Sequence, residues 1–109
     1  MPMLPGPYEI LDLEDGQSVT LDITSWEEGD VVIHPYRAPE GIVVTALRVH
    51  VTPESKKTVP YYWDITAKTL IAGLKPLLIA GKHLDNYIKI TKVGERPRAR
   101  FMVELIPKK

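Results

Sequence analysis

Cysteine is absent from the sequence, so disulfide bonds and thiolate metal sites are excluded. No segment approaches the ~20 consecutive apolar residues that cross a bilayer. Residues 1–7 lack the basic and apolar regions of a secretory signal, and we expect a cytoplasmic protein with no membrane partner. The glycines occur singly, and His34, His50 and His83 lack the spacing of metal ligands. We therefore predict neither a metal ion nor another cofactor.

The residue patterns that accompany catalysis are also missing. Neither Ser18 nor Ser25 lies in the sharp strand-to-helix turn that exposes a nucleophilic serine. The carboxylates up to Glu40 fall in segments typical of turns, where Asp and Gly are favoured by the backbone conformation. We predict that the protein is not an enzyme. A small site assembled from dispersed polar residues is the least favoured alternative.

The composition predicts one folded unit. With 109 residues, 44% of them hydrophobic and 26% charged, the chain has room for one packed domain. Residues 1–7 include three prolines and a glycine, which disfavour helix and strand, so we expect a flexible arm there. Residues 8–109 are predicted to form a single β-rich domain, since no linker or repeat divides them.

Alternation of apolar and polar side chains predicts four strands in the first half of the chain. They cover residues 8–13, 18–23, 31–36 and 42–52, with turns at 14–17, 27–30 and 37–41. The longest of them is rich in β-branched residues and should be the central strand of its sheet. We expect Arg48 and His50 on one face of that strand and, buried on the other, Thr45, Leu47, Val49 and Val51.

A helix is predicted from an apolar stripe at helical spacing: Leu70, Ile71, Leu74, Leu77 and Leu78. Asp64 or Thr66 would cap its start, and Gly81 would end it. Pro76 lacks the amide that would bond to the carbonyl of Ala72, so we expect a kink or two short helices.

A hairpin is predicted to close the chain, with residues 87–93 paired to residues 98–105. One of its faces should carry Tyr87, Lys89, Thr91, Arg98, Arg100 and Met102. The predicted fold class is therefore mostly β with one helix, an α+β arrangement. It would be a small antiparallel barrel or a curved, OB-like sheet, with a kinked helix before the C-terminal hairpin.

Charge is distributed unevenly, although the formal net charge is zero. Residues 1–52 carry two basic side chains against nine acidic ones, whereas residues 66–109 carry ten basic against three acidic. Either the two halves attract each other within the fold or in an oligomer, or they have separate binding roles.

Binding of single-stranded nucleic acid requires cations along the phosphates and exposed aromatic rings on which bases stack. Residues 56–100 supply both. The predicted nucleic-acid-binding residues are Lys56, Lys57, Tyr61, Tyr62, Trp63, Tyr87, Lys89, Lys92, Arg96, Arg98 and Arg100. In an extended chain Tyr62 points away from Tyr61 and Trp63, so we expect an exposed Tyr62 beside the lysines and a buried Trp63. An ordinary solvated strand face is the alternative for the hairpin cations.

The C-terminal run Tyr87-Ile88-Lys89-Ile90-Thr91-Lys92-Val93-Gly94-Glu95, continuing to residues 100–104, resembles the closing hairpin of small phage and archaeal-virus single-stranded DNA-binding proteins. Residues 11–19 are similar to the first strand pair of that family, and the apolar helix at 70–78 also fits. The resemblance implies a barrel of the oligonucleotide-binding type and a role in protecting single strands during DNA replication. The zinc-binding insertions usual in the family are missing here.

The function predicted from the sequence is therefore binding of single-stranded DNA or RNA with little sequence preference. We expect a homodimer, because the halves carry opposite charge and the apolar stripe of the helix is wide. The alternative is a non-catalytic protein–protein interaction module, such as a virion or replisome accessory subunit, with the acidic N-terminal half as its docking face.

Overall fold

Two small antiparallel sheets and one helix enclose the main hydrophobic core. The computed structural model describes residues 2–34, 39–94 and 100–108. In chain order the elements are β1 (Ser18–Leu21), β2 (Ile23–Ile33), β3 (Ile42–Val51), β4 (Tyr62–Ile65), α1 (Lys68–Ile79), α2 (Lys82–Asp85), β5 (Asn86–Val93) and β6 (Arg100–Pro107).

Each sheet has three strands, and every neighbouring pair is antiparallel. The first sheet has the order β2-β3-β4, and the second has the order β1-β5-β6. Only Asp22 separates β1 from β2, so the chain passes directly from one sheet into the other. The predicted α+β class is confirmed. The described residues do not close into a barrel, and their arrangement agrees with the curved-sheet form.

The main core lies between the two sheets and α1. It contains Leu21, Ile88 and Ile90 from the second sheet, Leu47, Val49 and Ile65 from the first, and Leu70, Leu74 and Leu78 from the helix. Burial of each such side chain contributes about 1.5–3 kcal/mol. Leu70, Leu74 and Leu78 of the helical stripe are covered by the same chain, and Ile71 and Leu77 are half-buried, so the stripe gives little support to an oligomer.

The central position of β3 is confirmed, and so is the burial of Leu47, Val49 and Val51. Arg48 lies on the opposite face from these residues, as predicted, but the burial predicted for Thr45 is wrong. Thr45 is exposed, and on the opposite face Arg48 is buried. The opposite face is buried because residues near the N-terminus lie over it.

The turn predicted at residues 27–30 is wrong, because β2 continues through it. Glu27 is paired with Arg48 and Asp30 with Thr45, so the segment belongs to one long strand that begins after Asp22. Residues 8–13 were predicted as a strand, but among them only Ile10 forms a β-bridge, to Asp64. Residues 35–38, which include the end of the predicted third strand, lie outside the described residues.

The start of the helix differs from the prediction, whereas its end agrees with it. Ala67 is the N-cap, without a side-chain hydrogen bond, because Asp64 bonds elsewhere. Gly81 has φ of 75°, the left-handed conformation typical of a residue after a helix. The helix continues past Pro76, and the one-turn α2 follows. Neither described helix has the length and apolarity needed to cross a membrane.

Residues 2–7, predicted as a flexible arm, are docked against the first sheet together with residues 8–11. The amide of Leu4 donates to the carbonyl of Asp30 at 2.8 Å, and the amide of Asp30 donates to Pro2 at 2.9 Å. At the other edge, the amide of Leu11 donates to the carbonyl of Asp64 at 3.0 Å. The buried side chain of Leu4 packs with Val31 and Ala46 in a second, smaller core. Residues 2–11 therefore form a cover, called the arm below, that contacts both edges of one sheet.

Gly29 leaves space for this arm. A Cβ at that position would lie 2.7 Å from the carbonyl oxygen of Pro2 and 2.8 Å from Cγ of Leu4. We expect Gly29→Ala to lower the free energy of unfolding by about 1–3 kcal/mol, because overpacking displaces Leu4. Gly73→Ala is the matched control, since a Cβ there meets nothing within 4 Å and a helix gains about 0.5–1 kcal/mol from Ala. Urea unfolding of both variants measures the difference, and equal stability would contradict the prediction.

Candidate nucleic-acid interface

The closing hairpin forms as predicted, with β6 on one side of β5 and β1 on the other. Ile88 is opposite Leu105 and Ile90 is opposite Val103, and both isoleucines are buried in the core. The side chains that alternate with them lie on the other side of the sheet, called the outer face: Ser18, Thr20, Tyr87, Lys89, Thr91, Val93, Arg100, Met102, Glu104 and Ile106. The predicted common face of Tyr87, Lys89, Thr91, Arg100 and Met102 is confirmed.

Tyr87 presents an aromatic ring on this outer face. Its side chain is 37% exposed, and Nζ of Lys108 lies 5.6 Å from the ring centroid. Lys108 also forms an ion pair with Asp22, with 2.7 Å between Nζ of Lys108 and Oδ1 of Asp22. A polar cleft of about 630 Å³ lies beside the ring and is lined by Thr20, Asp22, Thr52, Glu54, Ser55 and Tyr87. The ring is therefore accessible, with a cation near one side.

Two cations share the outer face with Tyr87. Arg100 is exposed and Lys89 is half-buried, and neither forms an ion pair within the part of the chain that the structure describes. Glu104 lies opposite Lys89 in the register, so the face also carries one carboxylate. Lys92 is opposite Phe101 and lies on the other side of the hairpin. Arg96 and Arg98, two more predicted contacts, lie outside the described residues.

Lys56 was predicted as an exposed phosphate contact, but it is only 4% exposed. Its ammonium donates to Oε1 of Glu9 at 2.8 Å and to the carbonyls of Thr58 and Pro60, at 3.2 and 2.6 Å. It also lies 4.8 Å from the centroid of the Trp63 ring. All its donors are used inside the fold, so Lys56 holds the loop before β4 in place. Lys57 stays exposed in the same loop.

Tyr62 and Trp63 point to opposite sides of β4, as predicted. Trp63 is half-buried and packs against the main core. Tyr62 is not the open ring that the sequence predicted, because its hydroxyl donates to the carbonyl of Pro7 and its ring packs 4.0 Å from the guanidinium of Arg48. Tyr61 is exposed, but it belongs to the loop before β4 and not to the outer face.

The sequence interpretation missed a buried ion pair between β3 and β4. Nε of Arg48 donates to Oδ1 of Asp64 at 2.7 Å, and its Nη2 donates to Oδ2 at 3.1 Å. Oδ2 also accepts the amide of Glu9 at 3.0 Å, so the arm completes the pair. Arg48 and Asp64 lie directly opposite each other on β3 and β4, and this position could have revealed the ion pair. The sequence shows it only once the register between these two strands is known.

Burial and charge alter the titration of this cluster. Burial lowers the pKa of Arg48, but the hydrogen bond and charge of Asp64 outweigh it and raise the pKa above its ordinary value. Burial raises the pKa of Tyr62, and the charge of Arg48 opposes this only in part. Arg48 and Tyr62, whose pKa values are both raised, therefore keep their protons at neutral pH.

The histidines occupy three separate places. Nε2 of His50 lies 2.8 Å from Oε2 of Glu27, and its ring meets Tyr62 edge-on. His34 is exposed and its Nδ1 lies 3.1 Å from the carbonyl of Pro39. His83 is buried in α2, where burial and the charge of Lys108 lower its pKa. Among residues 2–34, 39–94 and 100–108, no three acidic or histidine side chains are grouped to hold a metal ion.

Comparisons with protein-family models, with curated proteins and with solved structures give no match to this chain. The resemblance of the closing hairpin to viral single-stranded DNA-binding proteins therefore stays a prediction.

We expect Asp64→Ala to lower the free energy of unfolding by about 3–5 kcal/mol, because it leaves the guanidinium of Arg48 buried without its counter-charge. Asp12→Ala is the matched control: this carboxylate is exposed, and its loss should change stability by less than about 0.5 kcal/mol. Urea unfolding at neutral pH measures both. A cost for Asp64→Ala as small as that of the control would contradict a stabilising role of the pair.

His83 should make the protein less stable in mild acid. Its pKa is below the ordinary value of 6.5 in the folded state, so the unfolded chain binds more protons as the pH falls through that value. The free energy of unfolding that neutral His83 contributes above about pH 6.5 is then lost as the pH falls toward 5. We expect His83→Gln to reduce the change in urea midpoint between pH 7 and pH 5. His34→Gln, at an exposed histidine, should leave that change as in the parent protein; equal slopes in all three would contradict the assignment.

Proposed function

We propose that the protein binds single-stranded nucleic acid, with little sequence preference, through the outer face of the second sheet. The observation that carries the proposal is the exposed ring of Tyr87 on the same face as Lys89 and Arg100. A ring supplies a stacking surface for any base, and the cations supply contacts to phosphates. Neither requires recognition of base edges, so low sequence preference follows.

The dimensions of the face suit an extended strand. Tyr87 and Val93 are six residues apart on β5, which corresponds to about 20 Å. Arg100 lies opposite Val93 in the register, and Lys89 lies between Tyr87 and Val93 on β5. A chain of nucleotides lying along β5 would meet the ring first, then Lys89, then Arg100. The resemblance to viral proteins supports single-stranded DNA and a role in replication, in the cytoplasm of an archaeal or virus-infected cell.

A non-catalytic protein–protein interaction module is the second candidate. It is favoured by exposed apolar side chains on the same outer face: Val93, Met102 and Ile106. The acidic half offers less as a docking surface than the sequence suggested, because Glu9, Asp22 and Glu28 are paired with Lys56, Lys108 and Lys75 of the same chain. These pairs also weaken the charge argument for a homodimer.

The test is fluorescence anisotropy of a labelled dT oligomer of ~30 bases at low and moderate salt, with an RNA oligomer in parallel. Affinity should fall with salt, with a log–log slope of about −0.7 for each phosphate contact. We expect Tyr87→Ala to weaken binding by about 5- to 150-fold, the equivalent of about 1–3 kcal/mol for one stacked base.

Tyr61→Ala is the matched control, because Tyr61 is 40% exposed but lies off the outer face. It should leave the affinity unchanged. A loss of affinity in Tyr61→Ala with none in Tyr87→Ala would move the interface to the loop before β4. Absence of binding to either oligomer at low salt would reject the function and favour the protein–protein module.

A further inference from the structure

The second sheet ends at β6, whose outer edge has no neighbouring strand among the described residues. The backbone amides and carbonyls along such an edge can pair with a strand of another chain. Proteins commonly protect an edge by keeping it short or by interrupting it with a bulge. β6 has eight residues and pairs with β5 without a register shift, and its terminal Pro107 has no amide to donate to an added strand.

Apolar side chains accompany this open edge. Met102 is 52% exposed, and Leu105 and Ile106 are also exposed. Phe101 and Val103 are partly buried, because they pack against the core from the edge strand. A strand added beside β6 would cover apolar surface on both sides of the sheet.

The sequence of β6 is complementary to itself when two copies run antiparallel. If Met102 faces Met102 of a second copy, Arg100 lies opposite Glu104 of that copy, and Glu104 lies opposite its Arg100. Phe101 then faces Val103 on the core side, so apolar residues meet apolar residues. Opposite charges directly across antiparallel strands stabilise pairing, and like charges destabilise it.

The two next registers toward the C-terminus match less well. With the axis at Val103, Met102 would face Glu104, and with the axis at Glu104 two carboxylates would face each other. Within one chain Arg100 and Glu104 are four residues apart on a strand, or about 13 Å, which is too far for an ion pair. Neither has an ion-pair partner in the described part of the chain, so both charges are available.

We infer that two copies of this chain pair through β6 about a two-fold axis at Met102. The second sheets of the two copies then become one six-stranded antiparallel sheet. Lys89, Glu104 and Arg100 of the second copy form a row of alternating charge across the junction. The inference specifies the interface of the predicted homodimer, and it does not depend on nucleic-acid binding. If that function also holds, the two outer faces adjoin and double the surface for a single strand.

The first experiment reverses the charges and measures the mass by sedimentation at a series of protein concentrations without nucleic acid. The parent protein should be a dimer at tens of micromolar. Arg100→Glu and Glu104→Arg alone should each weaken dimerisation by about 10-fold or more, because each places like charges opposite one another twice in a symmetric pair. The double variant restores opposite charges across the junction and should dimerise more tightly than either single variant, although its arginine at position 104 lies opposite Lys89 of the same chain.

Lys68→Glu is the matched control for Arg100→Glu, since it makes the same change in net charge at an exposed residue of α1 away from β6. It should leave the dimer unchanged. Thermal melts establish that each variant is folded. A monomeric parent protein, or a double variant as weak as the single ones, would overturn the inference without bearing on nucleic-acid binding.

A second experiment uses the absence of cysteine from the chain. Met102→Cys introduces a single thiol, and in the inferred register two such thiols face each other at the distance of a directly opposed cross-strand pair. Mild oxidation should give a covalent dimer on a non-reducing gel. Val93→Cys places a thiol on the same face but on the inner strand β5, and should stay monomeric on that gel. Equal cross-linking of the two variants would contradict the register.

Discussion

The ion pair between Arg48 and Asp64 is the interaction on which the arrangement of the first sheet depends. Asp64 accepts two hydrogen bonds from the guanidinium, and its carboxylate and backbone also bond to Glu9 and Leu11 of the arm. A charge this deeply buried is tolerated only with its counter-charge and its hydrogen bonds in place. The pairing of β3 with β4 and the position of the arm are thus fixed together.

Some of the opposite charges along the chain join its acidic and basic segments. Lys75 and Lys108 of residues 66–109, and Lys56 from the loop before β4, each contact a carboxylate of residues 1–52. This agrees with attraction within the fold, one of the two explanations that the charge distribution allowed. On the outer face, Lys89, Arg100 and Glu104 have no ion-pair partner among the residues that the structure describes.

The sequence predicted correctly those elements whose buried face follows from alternating apolar and polar residues in a strand, or from one apolar stripe along a helix. The central strand β3, the closing hairpin and the buried leucines of α1 are of this kind. The continuous strand through Gly29, the buried Arg48 and the enclosed Lys56 were not predicted, because each depends on residues far away in sequence. In the candidate interface, the alternation of side chains correctly predicted that Tyr87, Lys89 and Arg100 share one face. The exposure of Tyr62 was predicted wrongly, because the sequence of the arm that covers it is typical of a flexible segment.

The docking of the arm on both edges of one sheet also constrains the order of folding. Leu4 bonds to a residue 26 positions away at the edge formed by β2, and Glu9 bonds to one 55 positions away at the edge formed by β4. Closing such long loops costs entropy that only the finished sheet can compensate. Docking of the arm therefore requires the edges of β2 and β4 to be in place, so its hydrogen bonds depend on a sheet that other segments of the chain build.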